Sequence, residues 1–502
     1  MTTTYTLRSA SPAKTRCDAV VVGVVSTAKG PALAPGGEDV AKAYGRRLRP
    51  LLETLGVTGK AGETAKVPTA KTLHSPLLVL IGLGEQSGLG PVAVRRGAGV
   101  AARTVTNAAS VALALPADSA ELVRASTEGY LLGGYRYTAY KSETASSSTA
   151  PGEVVVLSPV ARKKEPTAAF ERAQQVAAAV AVTRDWVNTP AGDLTPPVFA
   201  DVVAEAHREL TKGRGAPKVE LTVWDEQRLA EEGCGGILGV GGGSDAPPRL
   251  VRLRWAPKGA KRHVALVGKG VTFDTGGYSI KPGTSMVHMK EDMAGAATVV
   301  QALLTIARLG LPVAVTAWAP MAENMISGSA MRPGDVLTIR GGKTVEVTNT
   351  DAEGRLIMAD ALVLAAEEKP DTIVDVATLT GHMVVALGER VAGLMGDDPV
   401  VEAMGRAAEA AGEAVWPMPI PDEMAERVTS SKVADLAQHD GVRWGGGLFA
   451  GAFLREFTDG IPWAHLDIAG PGFNPGSVHG YTLPGGTGFG VATVVEYVAS
   501  QG

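Results

Sequence analysis

The stretch HVALVGKGVTFDTGG, residues 263–277, decides the fold class of this chain. Its first part is a continuous apolar run, which is typical of a parallel strand buried on both faces. Lys269 interrupts the run, and Asp274 follows it shortly before a Gly-Gly turn. Ligands in α/β proteins bind beyond the carboxyl ends of parallel strands. The stretch therefore predicts a buried strand that contains a lysine and ends at a functional site.

The segments around this stretch alternate between strand-like and helix-like patterns. Apolar spacing predicts strands at residues 313–319, 372–377 and 464–468, and helices at residues 293–309 and 356–367. Such alternation is typical of a mainly parallel sheet covered by helices. We therefore predict a large α/β domain with a mainly parallel central sheet, with Asp274 near the carboxyl edge of that sheet.

The beginning of the chain shows the same alternation on a smaller scale. Strands are predicted at residues 17–25 and 77–81, and helices at residues 41–55 and 91–109. A polar, serine-rich segment at residues 141–151 is the predicted linker. We predict a small N-terminal α/β domain at residues 1–165 and the large α/β domain at residues 166–502.

Composition excludes several classes of protein. The 502 residues carry a formal net charge of −4 with a pI of about 6.1, which argues against nucleic-acid and anionic-membrane partners. Two cysteines cannot form a disulfide framework. No signal-peptide core and no apolar stretch of transmembrane length is found. We expect a cytoplasmic protein without a membrane partner.

Four carboxylates are expected to converge at the carboxyl edge of the sheet. Asp274 follows the buried strand, Asp292 precedes a predicted helix, and Asp351 and Glu353 lie at another strand-to-helix junction. Clustered buried carboxylates repel one another unless cations neutralise them. Two divalent metals would do so and would activate water for hydrolysis. The chain has no H-E-x-x-H, G-x-S-x-G or Walker A motif.

Each charged residue also has an ordinary structural interpretation. Asp292 could cap the helix that follows it. Asp351 and Glu353 could complement a helix dipole, and Asp274 could belong to a turn. Lysines and arginines are most often solvated. Lys269 fits that interpretation worst, because it interrupts an apolar strand.

Three segments, GKGVTFDTGGYSIKP, MKEDMAGAA and NTDAEGRL, resemble the signature segments of the leucyl aminopeptidase family, the dimetal cytosol aminopeptidases. Further matches are DVATLTG and HLDIAGP, and the resemblance covers roughly residues 165–500 in order. The N-terminal part is similar to the family only in length and α/β character. Positions such as Tyr278 and His382 depart from the expected pattern without removing a ligand.

The resemblance implies a set of metal ligands. Lys269, Asp274, Asp292 and Glu353 match the tight metal site, in which the lysine amine is a ligand. Asp274, Asp351 and Glu353 match a more exchangeable site. The ions expected are two divalent metals per subunit, manganese or zinc.

The resemblance also implies catalytic and substrate-binding roles. Lys281 matches the residue that polarises the scissile carbonyl, and Arg355 matches the arginine that holds a bicarbonate ion. Met289, Thr378 and Gly381 match positions that line an apolar pocket for the first side chain.

The expected activity is removal of N-terminal, Leu-like residues from peptides by metal-activated hydroxide, in a homohexamer. Three alternatives stay open: a nucleic-acid-binding protein, against which the acidic pI argues; another dimetal hydrolase such as a phosphatase; and an inactive scaffold. Presence of both Lys281 and Arg355 argues against the scaffold.

Overall fold

The computed structural model describes residues 3–142 and 150–502. The chain folds into two compact units, one formed by Met1–Ala181 with Gly476–Leu483 and the other by Val182–Pro475 with Pro484–Gly502. The predicted linker at residues 141–151 falls mostly outside the described residues. The boundary predicted at residue 165 lies at the start of a long helix, Lys164–Asn188.

The first unit is a small α/β unit built on one sheet. Its strands are β1 (Thr4–Arg8), β2 (Ala19–Thr27), β3 (Gly30–Leu33), β4 (Thr64–Pro68), β5 (Leu77–Glu85), β6 (Ser110–Ala114) and β7 (Glu153–Leu157). Its helices are α1 (Glu38–Tyr44), α2 (Leu48–Thr54), α3 (Pro91–Thr104), α4 (Ala120–Gly133) and the first part of α5 (Lys164–Asn188). The sheet order is β1-β7-β6-β2-β5-β4, with β3 beside β2. Among the described residues, β3 runs antiparallel to β2 and β4 runs antiparallel to β5, whereas the other pairs are parallel.

The single helix predicted at residues 41–55 is wrong, because the structure has two short helices there. A 3-10 turn at Gly45–Arg47 separates α1 from α2. Gly45 has a φ of +54°, a conformation that ends a right-handed helix. The apolar spacing continues across the break, so the periodicity alone did not reveal it.

The second unit contains the larger sheet. Its strands are β8 (Val219–Trp224), β9 (Arg249–Trp255), β10 (His263–Gly268), β11 (Gly270–Asp274), β12 (Ala314–Asn324), β13 (Val336–Thr338), β14 (Thr344–Glu346), β15 (Thr372–Ala377), β16 (Ala392–Gly396), β17 (Val415–Pro417), β18 (Leu436–Ala437), β19 (Trp463–Asp467), β20 (Phe473–Asn474) and β21 (Gly485–Gly486). Its helices after α5 are α6 (Pro196–Thr211), α7 (Glu226–Glu231), α8 (Gly235–Gly241), α9 (Gly283–Met286), α10 (Ala294–Leu309), α11 (Gly354–Glu367), α12 (Gly381–Leu387), α13 (Asp398–Ala411), α14 (Asp422–Val428), α15 (Gly446–Arg455) and α16 (Val491–Ala499).

The main sheet of this unit has the order β17-β16-β19-β15-β10-β12-β9-β8, with β11 beside β12. Strands β19, β15, β10 and β12 run parallel through its centre, whereas β9 and β8 pair antiparallel at one edge. The prediction of an α/β fold with a mainly parallel central sheet is confirmed.

The central strand β10 is apolar from Val264 onwards, and helices cover it. Ala265 and Val267 are fully buried in a cluster that includes Leu356 and Ile357 of α11. Helix α10 packs against β10, β12 and β15 as well. The segment Met289–Leu309, which includes α10, is long and apolar enough to cross a membrane, but 89% of its apolar window is buried inside the protein. It is a core helix.

The carboxyl ends of the parallel strands meet at one edge of this sheet. Asp274 is the last residue of β11, Thr378 follows β15, and Asp467 ends β19. The sheet topology thereby places polar side chains from distant parts of the sequence together, where ligands bind in such folds.

Candidate metal centre

Lys269 lies between β10 and β11 and connects the two acidic parts of the site. Its side chain is buried, with Nζ 2.8 Å from Asp292 Oδ1 and 3.0 Å from Glu353 Oε1. Nζ also donates a hydrogen bond to the Thr378 carbonyl oxygen at 2.9 Å. Gly354 makes this reach possible, because a Cβ at that position would lie 2.7 Å from Nζ. The lysine is therefore enclosed by the chain rather than solvated.

The prediction that Lys269 lies inside a strand is wrong by one residue. Its N–H donates to the Val376 carbonyl at 3.0 Å, but its own carbonyl accepts from the N–H of Ala296 near the start of α10 at 2.8 Å. The strand is interrupted there, and β11 continues it alongside β12. The interruption holds the lysine backbone between the sheet and α10.

Three carboxylates converge beside the lysine. Oxygens of Asp274, Asp351 and Glu353 lie within 4.8 Å of one another. Oδ1 of Asp274 accepts hydrogen bonds from the Gly276 N–H and from Asn324 Nδ2, both at 2.8 Å. The turn interpretation of Asp274 is therefore correct for one oxygen, while the other oxygen faces the site.

Asp292 is the fourth carboxylate, and it does not cap a helix. Helix α10 begins at Ala294, and Met293 occupies the cap position without a side-chain cap bond. Oδ1 of Asp292 instead accepts from the hydroxyl of Thr378 at 2.7 Å and from Lys269 Nζ. The capping interpretation is wrong because the carboxylate is turned into the site.

Lys281 approaches the carboxylates from the open side. Its Nζ lies 2.8 Å from Asp274 Oδ2 and 2.7 Å from Asp351 Oδ1, and its side chain is 17% exposed. The backbone N–H of Lys281 donates to the Thr275 carbonyl at 2.9 Å, which anchors the loop after β11. A cation is thus fixed between buried acids and the solvent.

The electrostatics of the site show an excess of negative charge. Burial raises the pKa of Asp292 well above its ordinary value, and burial together with Glu353 raises that of Asp274. Burial alone would lower the pKa of Lys269, but Asp292, Glu353 and Asp274 raise it overall. Four carboxylates face two lysines, and Glu353 Oε2 is buried without a hydrogen-bond partner among the described residues. Surplus buried oxygen acceptors of this kind suit hard divalent cations.

These groups line a cleft with a volume of about 390 Å³. The cleft brings together all the predicted metal ligands, Lys281 and the three predicted pocket residues, namely Lys269, Asp274, Asp292, Asp351, Glu353, Lys281, Met289, Thr378 and Gly381. Ile280 and Val384 add apolar surface. The cleft is therefore charged where the acids meet and partly apolar along its walls.

Arg355 lies behind the cleft rather than on its surface. The side chain is buried, with Nη1 donating to the Gln438 carbonyl at 2.7 Å and the guanidinium carbon 5.5 Å from the centre of the Phe449 ring. Burial lowers the pKa of Arg355 to about 10. Its Nε is buried without a hydrogen-bond partner in the described part of the chain. The solvated interpretation of Arg355 is wrong.

Sequence reasoning missed a buried network that supports the cleft wall. Asp467 accepts hydrogen bonds from the Thr380 hydroxyl at 2.9 Å and the Leu379 N–H at 3.2 Å, and both donors line the cleft. His465, two residues earlier on β19, is hydrogen-bonded to Asp375 of β15. The motifs DVATLTG and HLDIAGP contain these residues, but only the sheet register pairs them.

Glu291 is a second cleft residue that sequence reasoning did not single out. It ends the 3-10 helix Met289–Glu291 and lines the cleft. Burial, with a contribution from Asp292, raises its pKa to about 8. The signal available in the sequence was its position directly before Asp292 in MKEDM.

Known proteins are similar to this chain in both sequence and structure. The model of the cytosol aminopeptidase family, catalytic domain, matches residues 181–495, and that of its N-terminal domain matches residues 21–144. A probable cytosol aminopeptidase from Streptomyces coelicolor is 48% identical over 98% of this chain and 98% of its own length. One from Micrococcus luteus is 47% identical over 96% of each chain.

Two solved structures extend the similarity. The bottromycin maturation enzyme BotP in complex with Mn has a TM-score of 0.84 and 36% identity, covering 96% of this chain and 99% of its own. A mutant of tomato leucine aminopeptidase has a TM-score of 0.87 and 29% identity, covering 99% of this chain and 97% of its own.

The fold, the acidic cleft and these similarities together define a hydrolase of the metallo-aminopeptidase class. The chain belongs to the cytosol aminopeptidase family. The resemblance found in the sequence motifs is confirmed, and the enzyme class follows from it.

Proposed function

We propose that this aminopeptidase removes Leu-like N-terminal residues from peptides with two divalent cations bound in the cleft. The observation that carries the proposal is the convergence of Asp274, Asp351 and Glu353 within 4.8 Å, next to Lys269 and Asp292. Buried acids at this spacing repel one another unless cations lie between them.

Two overlapping ligand sets are available in this cluster. Lys269, Asp274, Asp292 and Glu353 would hold one cation, and Asp274, Asp351 and Glu353 would hold the other. Four carboxylates balance the charge of two dications. The partnerless Glu353 Oε2 supports this assignment, because a buried oxygen of that kind requires a donor or a metal.

Manganese or zinc is the proposed metal. The manganese in the BotP complex supports manganese for this chain. Oxygen ligands and an amine nitrogen also suit zinc. Bound divalent cations would supply an activated water nucleophile and stabilise negative charge on a carbonyl oxygen.

Lys281 is proposed to stabilise the oxyanion that develops on the scissile carbonyl. Its ammonium is held at 2.8 Å and 2.7 Å by Asp274 and Asp351, at the open side of the acid cluster. A cation fixed in advance loses little energy in reorganisation when charge develops. The partial exposure of Lys281 leaves Nζ accessible to a peptide entering the cleft.

Arg355 is proposed to hold a bicarbonate ion. The buried guanidinium has one nitrogen, Nε, with no hydrogen-bond partner among the described residues. Arginine presents planar pairs of donors that match an oxyanion. The Nε donor, unpaired among the described residues, is the observation that supports this role.

Met289, Thr378 and Gly381 are proposed to form the pocket for the first side chain. An added Cβ at Gly381 would contact nothing within 4 Å, so the cleft is open at that point. Burial of an apolar side chain there would contribute roughly 1.5–3 kcal/mol for Leu. An acidic first side chain would be disfavoured, because the surrounding cluster is itself acidic.

The assembly and location are also proposals. Homohexamer formation rests on the resemblance to the leucyl aminopeptidase family, and a cytoplasmic location is supported by relatives described as cytosol aminopeptidases. Light scattering coupled to size-exclusion chromatography would measure the mass of the assembly. A particle of one or two chains would contradict the hexamer.

The activity is tested with a panel of free and N-acetylated peptides that begin with Leu, Met or Glu, with and without a chelator. We expect cleavage of free Leu and Met peptides, little cleavage of Glu peptides, and none of the acetylated ones. Comparable cleavage of blocked peptides would indicate a different hydrolase. Full activity in chelator would exclude a metal mechanism.

A further inference from the structure

Glu291 is a carboxyl group of the cleft for which the proposed catalytic steps have no use. It lines the cleft next to Asp292, yet it forms no ion pair among the described residues. Its Oε2 is buried and has no hydrogen-bond partner in the described part of the chain. Native proteins leave few buried polar atoms in this condition, because such an atom has lost water without gaining a donor.

The neighbouring cations are all engaged elsewhere. Lys269 contacts Asp292 and Glu353. Lys281 contacts Asp274 and Asp351 in the same way. The donor for Glu291 must therefore come from outside these two lysines.

The adjacent lysine in the sequence does not supply the donor either. The Nζ atom of Lys290 donates a hydrogen bond to the Asn188 carbonyl at 2.8 Å, so this ammonium is not paired with Glu291. The carboxyl group of Glu291 lines the cleft and has no ion pair among the described residues, so a cation on a molecule that enters the cleft can pair with it.

We propose that Glu291 is a specificity-determining residue that binds a cationic side chain, lysine or arginine, of the peptide substrate. Hydrogen bonds from ammonium and guanidinium groups to a carboxylate are roughly twice as strong as those between neutral groups. Ile280 and Val384, which also line the cleft, offer apolar surface for the methylene stem of such a side chain. The inference rests on the proposed peptidase site and adds a substrate class to it.

Two positions of the substrate could present the cation, and one experiment separates them. The purified full-length protein, loaded with manganese, is assayed with Lys-Ala against norleucine-Ala, and with Leu-Lys against Leu-norleucine. Norleucine keeps the length of lysine without its charge. Each pair gives a ratio of kcat/KM that does not depend on the amount of active protein.

We expect one ratio to favour lysine in the native protein and to fall by roughly 10-fold or more in Glu291→Gln, the loss typical of a charge-assisted hydrogen bond. A fall in the first ratio places the cation at the first residue, and a fall in the second places it at the second residue. The matched control is Glu402→Gln, which removes an exposed carboxylate of α13 and should leave both ratios unchanged.

Two outcomes would overturn the inference. Unchanged ratios for both substrate pairs in Glu291→Gln would mean that Glu291 does not bind a substrate cation. A lower manganese content in the variant, measured by mass spectrometry, with equal losses for all substrates, would make Glu291 a metal ligand instead. Failure of the proposed function itself differs from both, because the native protein would then cleave none of the peptides.

Discussion

Replacement of Lys281 by methionine removes the cation at the open side of the cleft while it retains most of the side-chain stem. The backbone N–H of Lys281 donates to the Thr275 carbonyl at 2.9 Å, so the loop after β11 holds the ammonium at the open side of the cleft before substrate arrives. Loss of one such pre-organised group lowers kcat by about 10²–10³, or about 2.7–4 kcal/mol of transition-state stabilisation. KM should change little, because the uncharged peptide carbonyl of the ground state interacts weakly with the cation.

A second readout follows from the same contacts. Without a bound metal, Lys281 occupies two carboxylates that are also proposed metal ligands, Asp274 and Asp351. Lys281→Met removes this competing cation, so manganese should bind to the variant at least as tightly as to the native protein.

Steady-state kinetics with Leu peptides measure the change in kcat and KM, and calorimetric titration measures manganese binding. The control is Lys258→Met, which replaces a lysine on an exposed loop. A raised KM with unchanged kcat would make Lys281 a binding residue. Weaker manganese binding would show that it supports the metal site.

Further predictions concern the metals and the pocket. Asp351→Asn should lower turnover by about 10²-fold or more and leave one metal per chain in a folded protein; native turnover with two metals would contradict the assignment. Neighbouring acids raise the pKa of Lys269, which can bind metal only as the neutral amine, so protons compete and metal content should fall as pH is lowered. Metal analysis after dialysis across a pH series measures this, and constant content would argue against an amine ligand. Gly381→Leu should lower the ratio of kcat/KM for Leu peptides to kcat/KM for Ala peptides by roughly 10–200-fold, because the new leucine side chain would extend into the open cleft. An unchanged ratio would place the pocket elsewhere.

The sequence predicted the catalytic sheet well because its central strands are almost continuously apolar. The strand predicted at residues 372–377 coincides with β15. The helix predicted at residues 293–309 corresponds to α10, which begins one residue later, at Ala294. Helices α1 and α2 were predicted as one, because the positive φ of Gly45 leaves no mark in hydrophobic spacing.

The site was predicted to a different extent for different residues. Motifs placed Asp274, Asp351 and Glu353 together, as the structure does. The contact of Asp292 with Thr378 depends on a separation of 86 residues along the chain, so no local pattern could predict it. The same holds for Asp467, whose hydrogen bonds to Leu379 and Thr380 depend on the pairing of β19 with β15.

The space around Lys269 limits how such a centre could be transplanted or reached by stepwise mutation. A Cβ at Gly354 would lie 2.4 Å from the lysine Cε, and one at Gly295 would lie 2.8 Å from the lysine backbone nitrogen. At Gly295 the clash is with backbone, so that glycine is required whichever side chain stands at position 269. At Gly354 the clash is with the lysine side chain itself, so Lys269 and Gly354 depend on each other. A graft of the five proposed ligands onto another parallel sheet would therefore have to carry Gly354 together with the lysine.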